Sequence, residues 1–154
     1  MIAWFKEAEI GSGSSVTSWT SSVGSFIATI TGTNTVLTSA ANANGFARSV
    51  KYISGGTNTR VNFGNILTAS VWTICTLTRY TGGTKGRIIN DIGTNFLHGH
   101  WSGNTGVAYY NGWRTTHSTS GSTNWLAFCG QNASPNIVMS NGINVAISAG
   151  GSST

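Results

Sequence analysis

The stretch Asn95-Phe-Leu-His-Gly-His-Trp-Ser-Gly-Asn-Thr-Gly-Val-Ala-Tyr-Tyr-Asn-Gly-Trp113 decides the fold class. Apolar and aromatic residues fall in two short blocks, 95–101 and 106–113. Between them, Ser102-Gly103-Asn104 carries residue types that enter positive φ at low steric cost. Two strands joined by a tight turn follow. Working outward, the same grammar repeats in short clusters rich in Val, Ile, Thr, Trp or Tyr at 26–31, 47–53, 71–80, 87–92, 124–129, 137–139 and 144–148. Thr81-Gly82-Gly83, Ser120-Gly121-Ser122 and Asn141-Gly142 punctuate them. Helical periodicity is missing, so the chain reads as all-β, and the turn spacing fits a sandwich or jelly roll. Residues 11–45 depart from this pattern: Gly-Ser-Gly-Ser-Ser and Thr-Gly-Thr-Asn-Thr bracket weak strands, and a loop-rich third is expected there. The tail 149–154 has the composition of a flexible end or of a truncation.

At 154 residues the chain has room for one domain with a real core and not for two. A single domain is therefore expected over 1–148. Gly, Ser, Thr and Asn make up about half of the residues and only 7% are charged, well outside ordinary globular usage. Hydrophobic residues reach 39%, with six tryptophans, so disorder is excluded. The formal charge of +5 and the pI near 9.7 come from a scarcity of acids, Glu7, Glu9 and Asp91, rather than from many bases. Nucleic acid is not expected as a partner, because its readers cluster Lys and Arg and interleave aromatics with them. Arg79, Lys85 and Arg87 do gather around one turn. They read as a solvated hairpin tip or, alternatively, as a patch for an acidic glycan or an acidic neighbouring subunit.

No apolar run approaches the roughly 18 residues of a membrane span, and Met-Ile-Ala-Trp-Phe-Lys-Glu lacks the regions of a secretory signal. The domain is expected to begin at its first residue. Either a signal was removed, or the protein is made inside a cell and reaches its working place by assembly or lysis, as virion components do. Cys75 and Cys129 lie in strand-like blocks, where a lone pair is more often two small buried hydrophobes than a bridge or a metal site.

Several stretches resemble the concanavalin A-like lectin/glucanase superfamily, in its laminin G-like, pentraxin-related branch. Ala-Trp-Phe-Lys-Glu-Ala at 3–8 is similar to its opening strand, and Ser15-Val-Thr-Ser-Trp19 to the segment that follows. Val71-Trp-Thr-Ile-Cys-Thr-Leu-Thr-Arg-Tyr80 resembles the central strand, and Gly86-Arg-Ile-Ile-Asn90 the next. Asn124-Trp-Leu-Ala-Phe128 and Val138-Met-Ser-Asn-Gly142 are similar to a later strand and hairpin. The resemblance covers most of residues 3–148 and implies a two-sheet antiparallel jelly roll. The family normally adds a further strand pair that this chain lacks. A partner chain supplying those strands, or a different closure, is implied, because an unpaired edge is an aggregation hazard.

Candidate chemistry is sparse. Glycosidases of this fold use two facing carboxylates; Glu7 and Glu9 alternate onto one strand face, but the family's catalytic acidic strand is absent and Asp91 has no partner. A Ser/His/Asp triad lacks the Gly-x-Ser-x-Gly elbow that would expose its nucleophile. His98-Gly99-His100 places two imidazoles on one strand face, the start of a metal site. His117 lies on a polar loop and no Glu follows the pair, so histidines bonded to neighbouring strands, or polar contacts in a sugar groove, are the competing readings. Calcium would need more carboxylates. No metal or other cofactor is expected. Asn132-Ala-Ser134 is a glycosylation sequon, compromised by Pro135.

The best candidate for a carbohydrate site is His98, His100, Trp101, Tyr109, Tyr110 and Trp113, since sugar C–H faces stack on aromatic rings while hydroxyls bond to His and Tyr edges. Tyr109 and Trp113 share one face and Tyr110 the other, so about half of these rings should be core. The expected function is a non-catalytic structural and adhesive subunit of an extracellular assembly such as a virion surface. Its partners are copies of itself or other structural subunits, and cell-surface glycan. A free carbohydrate-binding module is the alternative, and a glycoside hydrolase a distant one.

Overall fold

Short strands that alternate inward and outward side chains make up almost all the regular structure of the computed structural model, which describes residues 1–115, 118–133 and 135–147. His117, Ser134 of the sequon, Ser148 at the end of the last expected strand, and the tail 149–154 lie outside the described residues. The fold is all-β, and every strand pair is antiparallel. Among the described residues the one helical piece is a 3-10 turn at Glu7–Glu9. Contacts gather into two compact units, Met1–Thr68 and Ala69–Thr154.

In the first unit, β1 (Ser18–Thr20), β2 (Ile27–Thr31) and β5 (Arg60–Asn62) form one sheet with β2 in the centre, and β3 (Asn34–Ser39) pairs with β4 (Val50–Gly55). The strand β3 corrects the expectation of a loop-rich 11–45. Its six residues pair in unbroken register with β4. Buried Asn34 anchors its start: the side-chain oxygen accepts from Val16 N at 3.1 Å, and the amide donates to Val16 O and Gly32 O. A polar side chain replaces the ladder partners that the composition does not advertise. The opening strand implied at 3–8 is likewise absent. Glu7 and Glu9 sit on the 3-10 turn, where Glu7 accepts from Lys51 N and Glu9 from Ser22 Oγ, so they do not share a strand face.

The second unit holds two four-stranded sheets. One runs β10 (Thr119–Ser120), β9 (Asn104–Tyr110), β8 (Phe96–Trp101), β7 (Ile89–Asn90); the other runs β13 (Ile143–Asn144), β12 (Val138–Ser140), β11 (Leu126–Gln131), β6 (Thr73–Thr78). Inner side chains of β8 and β9 meet those of β11: His98 lies edge-on to Phe128 at 4.7 Å, and Tyr110 reaches Gly130. The layer is closed by Trp72, Phe96 and Tyr110, whose ring centroids lie 5.0 to 5.7 Å apart. Because β6 pairs with β11 and β7 with β8, residues 79–88 cross from one sheet to the other. The expected hairpin tip carrying Arg79, Lys85 and Arg87 is therefore a crossover.

Gly130 marks the tightest packing between these sheets. A Cβ there would collide with the Tyr110 hydroxyl. Gly130→Ala is expected to lower stability by about 1–3 kcal/mol through overpacking, read by urea denaturation; an unchanged midpoint would show that Tyr110 is free to retreat.

Candidate functional site

The β8–β9 hairpin carries five of the six candidate residues, and Trp113 follows just beyond the end of β9. Its turn is formed by Ser102 (φ 48°) and Gly103 (φ 84°), the left-handed pair of a type I′ hairpin, whose twist matches the flanking strands. Between Gly99 and His100 the pairing register shifts, leaving Gly106 as an extra residue on β9. His98 and His100, two residues apart on β8, share its inner face, and the extra residue on β9 sets Thr105 across from His100.

His98, His100 and Tyr110 are completely buried. His98 Nε2 lies 3.2 Å from Phe128 O and its Nδ1 2.6 Å from the Tyr110 hydroxyl. A carbonyl only accepts, so Nε2 carries the proton, and the neutral ring receives the Tyr110 O–H at Nδ1. Burial without a counter-charge pulls the His98 pKa down to about 3. His100 Nδ1 lies 3.3 Å from Thr78 Oγ1, and its ring stands edge-on to Tyr80 at 4.7 Å; desolvation lowers its pKa to about 4. Desolvation also raises the Tyr110 phenol, opposed by Arg114. The buried Arg114 guanidinium lies 5.7 Å from the Tyr110 ring and donates to Tyr110 O and Asn136 Oδ1. These three candidates hold the two sheets together, and no ligand reaches them without opening the core.

Trp101, Tyr109 and Trp113 lie on the outside. Trp101 closes β8, and Tyr109 sits directly across from Leu97 on the face opposite Tyr110. After β9 the chain reverses through Asn111 (φ 51°) and returns Trp113 to bridge Tyr109. Trp113 then stands 5.5 Å from Trp101 and 5.4 Å from Tyr109, edge-on to the tyrosine. The two tryptophans are 40% and 45% exposed. Three mutually supporting rings thus form a partly exposed aromatic cluster on the hairpin, with Tyr109 half-buried and the two tryptophans the more open.

The remaining candidates resolve into structure. Lys85 donates to Gly121 O, Arg87 to Phe96 O and Asn95 Oδ1, and Arg79 lies 5.6 Å over the Trp125 ring. Asp91 accepts from Ile92 N, Thr94 N and the Thr94 hydroxyl; the last bond leads in holding its carboxyl below the usual range. Asn132 is buried, accepting from Trp72 N and donating to Ser70 O, so its amide is committed to the fold. Cys75 and Cys129 face each other across β6 and β11 and form a disulfide on the outer face. They are not the two small buried hydrophobes expected; a pairing of strands 54 residues apart gave no local signal. Among the described residues no three His, Cys, Asp or Glu side chains converge as a metal site, and no helix is long and apolar enough to cross a membrane.

Across the whole chain, no protein-family model, no curated protein and no solved structure matches.

Proposed function

We propose that the chain is a non-catalytic adhesive β-sandwich subunit of an extracellular assembly, of the kind found on virion surfaces, and that it holds glycan on Trp101, Tyr109 and Trp113. The exposed aromatic platform is the observation that carries this reading. Sugar rings present C–H faces that stack on such side chains, and a sheet hairpin holds the platform rigid at little entropic cost. Asp91 is the only acid in residues 69–154; paired-carboxylate hydrolysis needs two, so binding without turnover fits the chemistry at hand. A jelly-roll order of strands of the concanavalin A-like type belongs to the same proposal, supported by the two antiparallel four-stranded sheets.

The test is titration of the purified chain with extracellular polysaccharides, followed by tryptophan fluorescence. Trp101→Ala or Trp113→Ala should each weaken binding on the order of 10-fold, the loss typical of one truncated aromatic anchor. Each substitution should also lower the unfolding free energy by about 1–2 kcal/mol through the lost ring contacts, and binding is compared where both variants are fully folded. Binding that survives loss of both tryptophans, or no binding at millimolar sugar, would overturn the glycan reading. Release of reducing sugar would overturn the non-catalytic one.

A further inference from the structure

We infer that β6 is a docking edge for a second copy of this chain, the two β6 strands pairing antiparallel about a twofold axis to join their sheets into one. This deepens the assembly part of the reading above and rests on it.

The sheet edges of the second unit are not alike. Three of them, β7, β10 and β13, are two residues long, and short edges resist pairing. The fourth, β6, runs six residues in unbroken register with β11, with no proline, no bulge and no charged side chain. The strand itself therefore carries none of the protections that charge, proline or a bulge would give against edge-to-edge pairing. Cys75 and Cys129 have their Cα atoms 4.1 Å apart, the close spacing of a non-hydrogen-bonded pair, which is about 4.5 Å against about 5.5 Å for the bonded kind. The backbone N–H and C=O groups of Cys75, and with it those of Thr73 and Leu77, therefore point away from β11. Among the described residues they take no other backbone or side-chain partner.

A second copy suits this edge because the edge complements itself. Each outward N–H has its C=O counterpart within the same six residues, and no like charges meet across the axis. The axis keeps inner side chains on the inner side, so outward-pointing Thr73, Cys75 and Leu77 must pair among themselves. Centring the axis on Thr76 sets Cys75 against Leu77 of the second copy. It also brings the two Thr76 side chains together as a close pair. The Thr76 hydroxyl itself is shielded from solvent inside the chain, so the contact between the two Thr76 side chains is one of packing. Leu77 and Val71, exposed beside this edge, would be covered by the same contact.

Light scattering after size exclusion, at micromolar protein, tests this with Leu77→Pro and Leu77→Lys. Proline removes an N–H that faces away from β11, so the internal ladder stays whole. Lysine keeps every backbone bond and adds charge to the edge. Each substitution counts twice in a twofold dimer, and two 10-fold losses give about 100-fold weaker association. The wild-type chain should run as a dimer and both variants as folded monomers that keep their polysaccharide binding. A wild-type monomer would overturn the inference. An oligomer untouched by both substitutions would also overturn it, while leaving the assembly reading intact at another surface.

Discussion

Reducing the Cys75–Cys129 bond should lower the unfolding free energy by about 4 kcal/mol, the entropy returned to an unfolded chain freed of a loop this long. The bond joins residues 54 apart and closes β6 onto β11, so it restricts nearly two thirds of the second unit's sequence. It lies on the outer face, where Cys75 is exposed, and a dithiol reductant reaches it without prior unfolding. At roughly 2–4 °C per kcal/mol for a chain of this length, the thermal midpoint should fall by roughly 8–16 °C. Urea denaturation with and without dithiothreitol measures the effect. The Cys75→Ser, Cys129→Ser double variant should start at the reduced value and ignore the reductant. A shift under about 1 kcal/mol would mean that hydrophobic packing alone holds β6 in place.

That bond also marks a boundary of what the sequence could tell. Period-two alternation and Gly-Asn punctuation are local signals, and they located the β8–β9 hairpin to within three residues of its observed ends. Alternation likewise put Tyr109 and Tyr110 on opposite faces, whereas Trp113 joins Tyr109 through a chain reversal at 111–112 that a single strand over 106–113 did not anticipate. It could not say which face was inside, because that depends on β11, whose strand begins 16 residues beyond the end of β9. Once Phe128 O is known to lie against His98 Nε2, the inward face is settled. Side-chain hydrogen bonds set other limits that composition hides. The expected strand over 87–92 shrinks to Ile89–Asn90 because the Asp91 carboxylate captures the next backbone amides. Conversely, Thr- and Asn-rich β3 forms because Asn34 satisfies the backbone where it starts. Residues 79–88 could not be recognised as a crossover while the partner of β6 was unknown.

Acid should destabilise the second unit well before its carboxylates titrate, and the two buried histidines set the pH window. Both have folded pKa values below the ordinary 6.5, His98 at about 3 and His100 at about 4. The unfolded chain therefore takes up protons first as pH falls below about 6.5, and stability drops until the folded values are reached. Each histidine contributes about 1.4 kcal/mol per pH unit within that window, so the pair removes about 5 kcal/mol between pH 6.5 and 4.5. Protonating His98 would abolish its acceptance from Tyr110 and set a cation in a closed core beside His100, near the Arg114 guanidinium that lies over Tyr110. Around His100, Thr78 and Tyr80 offer no negative charge in compensation. Asp91, held low by Thr94, loses its contribution only below the usual carboxylate range and leaves this window to the histidines. Urea denaturation at steps from pH 7 to pH 4.5 gives the slope directly. His98→Gln keeps an acceptor for Tyr110 and a donor for Phe128 O but cannot titrate, so it should roughly halve that slope whatever it does to stability at pH 7. An unchanged slope in this variant would place the acid-sensitive group elsewhere in the chain.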